Sequence, residues 1–345
     1  MLLHFEPMLL ELRHPFRLAT GTRTHTKVVL TQIHWEGLVD FGEAAMPPYY
    51  GEDHETAKAF LSKASEVLLN ENNSFGSSDG KEEIARIMEK IDAIAPGNNA
   101  AKASVDIALH DLWGKVIGKP LWQLLGSELE KMPATSFTLG IAEPAVMQQK
   151  LEEASGFKII KVKLGSGDDR QLIRSIREMS SLPIYADANQ GWKDKEATLD
   201  LVYWLQEQNV QLIEQPFHKD DLGSSAWLTE RSPLPIFADE SFQRFTDLDR
   251  VSDCFHGVNI KLMKCIGISE AIRIADVARK HRLKLMIGCM TETSCGIMAA
   301  AALAPQIDYA DTDGCWLVRN NPFEMPAFGN GRIMLDSTPG LGLKK

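Results

Sequence analysis

The stretch Ile159-Ile160-Lys161-Val162-Lys163-Leu164 decides the fold. It is a short apolar run carrying two lysines at alternate positions. Alternate residues of a strand point to the same face, so both ammonium groups project into whatever the strand helps to enclose. Downstream, Pro183-Ile184-Tyr185-Ala186-Asp187, Gln211-Leu212-Ile213-Glu214 and Pro235-Ile236-Phe237-Ala238-Asp239 each end in a carboxylate. Gly257-Val258-Asn259-Ile260-Lys261 ends in a lysine again. The ends fall about 22 to 27 residues apart, the length of one strand, one helix and two short loops in a barrel of parallel strands. Lysine, three acids and lysine thus occupy successive C-terminal strand ends, where such a barrel carries its reactive groups.

Working outward, Thr135-Ser136-Phe137-Thr138-Leu139 supplies an earlier strand, and Lys284-Leu285-Met286-Ile287-Gly288 and Asp308-Tyr309-Ala310-Asp311 two later ones, which makes eight. Residues 1 to about 45 read as antiparallel strands, with Glu36-Gly37 as a turn and a polar loop between Phe16 and Lys27. A second loop, Met46-Pro47-Pro48-Tyr49-Tyr50-Gly51-Glu52, is stiffened by prolines. Both loops are candidates to cover a substrate. Residues from about 54 to 118 are expected to be helical, with a loop near Glu71–Lys81. The clearest helix, Ala100–Ile117, places Ala101, Val105, Ala108, Leu109, Leu112 and Val116 on one stripe, and His110 and Asp111 read as its packed or surface positions. After Asn320 the repeat is lost, and Gly329-Asn330-Gly331-Arg332 reads as a hairpin turn.

The chain has 345 residues, which suits a barrel plus a second unit, and its 44% hydrophobic content supports a sizeable core. A net charge of −10 argues against nucleic acid or an anionic membrane as partner. Five cysteines without a CxxC pair offer no zinc spacing and suit a reducing compartment. The opening Met-Leu-Leu-His-Phe-Glu-Pro lacks the basic segment of a signal peptide, so a cytoplasmic location is expected.

Asp187, Glu214 and Asp239, converging in a barrel mouth, would repel one another unless a cation sat between them. Hard oxygen donors select Mg²⁺ or Mn²⁺ over zinc. Ion pairing with lysine accounts for any one acid but poorly for all three at matching positions. Lys163 and Lys261 flank the set. A lysine acts as a base only if burial, a nearby cation or a second lysine lowers its pKa, and Lys161 supplies that second charge. A metal flanked by two bases suits proton removal next to a carboxylate, with the metal stabilising the enediolate and the second lysine returning a proton to the opposite face.

On these residues the chain resembles the enolase superfamily, in its muconate-lactonising-enzyme-like subgroup, and most closely the dipeptide epimerases. Lys161-Val162-Lys163 is similar to the subgroup's paired lysines. Asp187-Ala188-Asn189-Gln190-Gly191-Trp192, Glu214-Gln215-Pro216 and Ala238-Asp239-Glu240-Ser241 resemble its metal-ligand motifs, and Asn259-Ile260-Lys261-Leu262-Met263-Lys264 the segment of the opposing base. The resemblance implies an α/β fold: a modified TIM barrel, (β/α)₇β, over residues 126–320, capped by an α+β domain of residues 1–125 that the tail 321–345 rejoins. It further implies one Mg²⁺ per subunit, Lys163 and Lys261 as acid/bases, and Lys161 assisting at the substrate carboxylate.

Asp311-Thr312-Asp313 points to dipeptides, because two such aspartates bind the substrate ammonium group in epimerases of this kind, and alternate carboxylates make a good ammonium site. Gly288-Cys289-Met290-Thr291-Glu292 resembles the loop that contacts the peptide, which implies Cys289, Met290 and Thr291 as substrate-binding residues together with Thr138. Arg23, with Arg17 and Lys27 nearby, occupies the cap loop where Ala-Glu epimerases place an arginine. The reading is a dipeptide epimerase inverting the α-carbon of the second residue of L-Ala-D/L-Glu, a fragment expected from cell-wall peptide recycling, in a homo-oligomer. The rivals are o-succinylbenzoate synthase or muconate cycloisomerase activity, which needs no ammonium site, and a catalytically silent peptide- or metal-binding barrel.

Overall fold

The structure, a computed structural model, describes residues 1–18, 21–71, 80–140, 144–165 and 167–345. Three antiparallel strands open it: β1 (Leu2–Leu18), β2 (Gly21–Trp35) and β3 (Leu38–Met46), in the order β1-β2-β3. A 3₁₀ turn over Pro48–Tyr50 leads to helices α1 (His54–Leu69), α2 (Gly80–Asp92) and α3 (Asn99–Ile117), then the single turn α4 (Leu121–Leu124).

The barrel follows as β4 (Ser136–Leu139), α5 (Pro144–Glu153), β5 (Ile159–Lys163), α6 (Asp169–Met179), β6 (Ile184–Asp187), α7 (Lys195–Glu207), β7 (Val210–Glu214) and α8 (Leu222–Arg231). It continues with β8 (Ile236–Ala238), the short α9 (Leu248–Val251), β9 (Gly257–Lys261), α10 (Ile268–Lys280), β10 (Lys284–Gly288), α11 (Ser294–Leu303) and β11 (Tyr309–Asp311). The eight strands pair in parallel in chain order, and a Thr135–Ala310 bridge brings the last beside the first. All eight expected strands are present. A hairpin, β12 (Phe328–Gly329) with β13 (Arg332–Ile333), forms at the expected glycine turn.

Alternation sorts the barrel side chains. Ile160, Val162, Ile184, Ala186, Ile213 and Ile260 belong to the large core shared with the surrounding helices. Tyr185, Leu212, Phe237 and Met286 form a separate cluster, with Ile159 and Tyr309 against it. These residues stand two positions before Asp187, Glu214, Asp239, Gly288, Lys161 and Asp311 in the chain, so the inward faces are apolar below and, except at Gly288, ionic above. Phe237 and its neighbours form the floor of the site.

Two expectations about the cap are corrected. The described residues of the stretch Arg17–Thr26 are strand rather than loop: β1 runs to Leu18 and β2 starts at Gly21, with Arg23 paired to Phe16. Polar, β-branched threonines at alternate positions satisfy a ladder as well as they satisfy solvent. Ala19 and Thr20 lie outside the described residues, as does most of the expected loop near Glu71–Lys81. Helix α3 has no single apolar stripe, because every residue from Ala100 to Gly114 is buried. It lies between the cap sheet and the barrel, so its polar groups need internal partners. Lys102 Nζ donates to Asp92 and to the Ala95 carbonyl, both at 2.7 Å. Asp106 accepts from the amides of Ile268 and Ser269 at the start of α10, and His110 Nδ1 bonds the Asp106 carbonyl.

The C-terminal residues return to this helix. Leu341 N donates to Asp111 Oδ1 at 2.8 Å and Leu121 N to the Gly340 carbonyl at 2.7 Å. Gly340 has φ +69°, and a Cβ there would sit 2.2 Å from Asp111 Oδ1. Among the described residues no helix is long and apolar enough to cross a membrane.

Candidate active site

Strand register places the ionic residues at one height. Lys163 pairs with Asp187, and Asp187 with Glu214. Gly288 pairs with both Lys261 and Asp311. The chain turns away just past each of these positions, which leaves the side chains at the mouth of the barrel, above the apolar floor.

Asp187, Glu214 and Asp239 are buried, with one oxygen from each within 4.8 Å of the others. Among the described residues they are the one group of three or more carboxylate, imidazole or thiol side chains close enough to hold a metal ion. Lysines surround them. Lys161 Nζ lies 2.6 Å from Glu214, 2.7 Å from Asp311 and 3.1 Å from Asp187. Lys163 Nζ is 2.6 Å from Asp187, and Lys261 Nζ 2.7 Å from Asp239 on the other side of the triad.

The protonation pattern is uneven. Burial raises Glu214, and Asp187 raises it further, to about 7. Burial also opposes ionisation of Asp187, yet Lys163 and Lys161 bring it down to about 2. Asp239 is likewise buried but is held well below its ordinary value by Lys261 and Lys264. Burial works against the charge on Lys261, but Asp239 and Glu214 keep it protonated well above the usual lysine value. Three mutually repelling acids therefore ionise only as far as cations balance them.

Above this layer opens a cleft of about 300 Å³. Of the residues singled out from the sequence, Arg23, Thr138, Lys161, Lys163, Asp239, Lys261, Cys289, Met290, Thr291, Asp311 and Asp313 line it. Asp187 and Glu214 sit beneath, under the lysines. Tyr50 of the cap lines the cleft beside Pro47, whereas Lys27 is exposed and away from it.

Asp311 is committed on both oxygens, one to Lys161 and one to Ser136 Oγ at 2.7 Å. Asp313 accepts from the Thr138 amide at 2.6 Å. Burial and then Asp311 push Asp313 up to about 7. The two aspartates thus differ in kind, one already in an ion pair and one facing the cleft and, among the described residues, bonded to no cation.

Two contributors carry no assigned role in the sequence reading. Asn259 Nδ2 donates to Glu214 Oε1 at 2.9 Å. Lys264 Nζ bonds Asp239 Oδ1 at 2.6 Å, the Asp239 carbonyl at 2.8 Å and the Asn259 carbonyl at 3.0 Å. Period two would have found Asn259, which shares a strand face with Lys261. Lys264 lies in the turn beyond the strand, where periodicity says nothing.

The comparisons agree with this geometry. Residues 6–126 match the mandelate racemase / muconate lactonizing enzyme N-terminal domain, and residues 146–344 the enolase C-terminal domain-like family. The chain belongs to this family. Within the mandelate racemase / muconate lactonizing enzyme family it is similar to the L-Ala-D/L-Glu epimerase of Bacteroides thetaiotaomicron, 45% identical over 99% of this chain and 87% of that protein. Among solved structures it is similar to the dipeptide epimerase of Enterococcus faecalis complexed with Mg and L-Leu-L-Tyr, with a TM-score of 0.89 and 31% identity over 100% of this chain and 99% of that one. It is also similar to a substrate-liganded L-Ala-D/L-Glu epimerase from Bacillus subtilis, with a TM-score of 0.88 and 29% identity over 99% and 97% of the two chains.

Proposed function

We propose that this protein is a Mg²⁺-dependent dipeptide epimerase that inverts the α-carbon of the second residue of L-Ala-D/L-Glu by two-base proton transfer. The observation that carries the reading is the pair Lys163 and Lys261 set against opposite members of one buried carboxylate triad, beneath a cleft also lined by Asp311 and Asp313. The names of its relatives, an L-Ala-D/L-Glu epimerase at 45% identity among them, support the same reaction.

Asp187, Glu214 and Asp239 would hold the ion: three carboxylate oxygens within 4.8 Å suit a hard divalent cation. When bound, Mg²⁺ supplies positive charge to the substrate carboxylate. The remaining roles fall to the chain itself. Lys161, deep in the mouth, adds a fixed positive charge where negative charge builds up as the α-proton leaves. Lys163 removes the proton of one isomer and Lys261 replaces it from the other face, the roles reversing in the return direction. Either lysine must be neutral to act as a base, and the carboxylates that keep Lys261 charged are the ones a cation would neutralise. Asp313, with Asp311 behind it, receives the substrate ammonium group. Cys289, Met290, Thr291 and Thr138 wall the peptide, and Arg23 meets the glutamate side chain. The cap of residues 1–125 and the tail 321–345 close over the barrel of residues 126–320.

A cytoplasmic homo-oligomer acting on cell-wall peptides completes the proposal. Incubation in D₂O with a dipeptide library, and separately with muconate and with the hydroxycyclohexadiene precursor of o-succinylbenzoate, tests it: L-Ala-L-Glu should gain one mass unit and yield the D-Glu isomer, whereas turnover confined to the last two would overturn it.

A further inference from the structure

Away from the triad, a second pair of acids joins the cap to the barrel. Glu43 lies on β3 and Glu292 in the turn between β10 and α11, and both are buried, 0% and 2% exposed. They meet beside Gly296, where a Cβ would stand 2.2 Å from Glu292 Oε2 and 3.3 Å from Glu43 Oε2. Their bonding is unequal. Glu43 Oε1 accepts from the Thr293 amide at 2.8 Å, and Oε2 from Thr293 Oγ1 at 2.5 Å and the Gly296 amide at 3.0 Å. These donors form the first turn of α11, whose dipole adds to the stabilisation of an anion. Glu292 has one amide, Met290 N at 2.7 Å, on Oε1.

We propose that Glu43 and Glu292 share a single proton, carried on Glu292, and that this acid–carboxylate pair is a positioning device holding the β10–α11 turn against the cap. Two adjacent buried carboxyls with neutral donors cannot both ionise cheaply. The three donors on Glu43 fix the charge there, and the oxygen of Glu292 that carries no donor is where the proton belongs. Burial raises both groups. Glu43 drives Glu292 up further, whereas Thr293 and Gly296 pull Glu43 back. Other ionisable groups face the pair: Lys261 on Glu292, and the thiols of Cys295 and Cys315, which burial keeps well above the ordinary thiol range. The consequence for the site follows from chain order. The same turn carries Cys289, Met290 and Thr291 into the cleft, so a residue of the cap sheet sets the position of a barrel wall.

The proposal rests on the epimerase reading only for its kinetic arm. Infrared spectra at neutral pH of the Mg²⁺-loaded protein should show a protonated-carboxyl band that Glu292→Gln removes. The amide of Glu292→Gln can still donate to Glu43, so exchange of the Thr293 and Gly296 amides should stay slow. Glu43→Gln places a donor against donors, and the same amides should exchange about tenfold faster or more. In turnover of Ala-Glu, Glu43→Gln should lose about ten- to a hundredfold in kcat/KM, chiefly through KM, and Glu292→Gln far less. No carboxyl band lost in Glu292→Gln, or equal amide exchange in the two variants, would overturn the shared proton whether or not the protein turns over dipeptides. If Glu43→Gln fails to fold, the spectrum and exchange of Glu292→Gln decide alone. Absent turnover with the band and exchange as expected would overturn the epimerase reading and leave the pair standing.

Discussion

The two walls of the cleft are built differently. On the barrel side, Lys161, Asp187, Glu214, Asp239 and Lys261 are buried and, with half-buried Lys163, each is bonded to at least one other member of the site: Lys161 alone touches three carboxylates. On the cap side, Arg23 is half-buried on a hairpin and Tyr50 sits at the end of a single 3₁₀ turn. A rigid, mutually constrained layer suits bond making, which tolerates little misplacement. A hairpin and a short turn suit discrimination, because they can vary without disturbing the layer beneath. Under the proposed reaction, bond making would therefore fall to the barrel layer and discrimination to the cap.

Substitutions in the barrel layer should therefore abolish reaction. Lys163→Ala and Lys261→Ala should each cost about a hundred- to ten-thousandfold in epimerisation. Each should still exchange the α-proton of one isomer for deuterium, as followed by mass spectrometry in D₂O. A single variant that epimerises normally would break the two-base scheme. Glu214→Gln should be equally inactive and remain folded by circular dichroism, since it removes charge from a crowded site.

Next in size is a pH effect. Glu214 without metal titrates near 7, and a proton there competes with Mg²⁺. Affinity measured by calorimetry should be constant well above that value and fall about tenfold per pH unit below it. Asp187, at about 2, should contribute no slope in this range. Glu240 and Asp313 also titrate near 7. The control is Asp313→Asn, which should leave the slope in place if Glu214 is its source.

A smaller and more selective effect belongs to the cap. Arg23→Ala should cost about ten- to a hundredfold in kcat/KM for Ala-Glu, the worth of one charge-assisted bond, and little for Ala-Leu. Equal losses on both would merge the two walls into one functional unit. Smallest of all is a change on the outside of the barrel. Asp194 caps α7 by accepting from the Ala197 amide, and Asp194→Ala should cost about 1 kcal/mol of stability, seen as a lower Tm with kcat unchanged.

The barrel was legible because parallel strands buried on both faces leave short apolar runs, and reacting groups sit at their ends, where spacing alone locates them. Lys163, Asp187, Glu214, Asp239 and Lys261 were all readable in this way. The cap was less so. Its first two strands carry threonine and arginine along their ladder, and in sequence such residues read equally well as a loop. Helix α3 has no polar face to lend it a period, since Lys102, Asp106 and His110 are all buried, and the donors that satisfy Asp106 lie far along the chain at Ile268 and Ser269. The ties among Asn259, Lys264 and the triad depend on tertiary approach, and so does the meeting of Glu43 with Glu292, 249 positions apart in the sequence.

The floor of Tyr185, Leu212, Phe237 and Met286, none more than 4% exposed, makes the barrel a tube stopped at one end. Among the described residues, the floor closes the route through the barrel, so substrate, product and any exchanging water would reach the reacting layer from the cleft above it. A proton lifted by a lysine would exchange with solvent through the same cleft. The ratio of isotope exchange to inversion would therefore report how fast the lysine proton exchanges with water in the cleft relative to the lifetime of the deprotonated peptide.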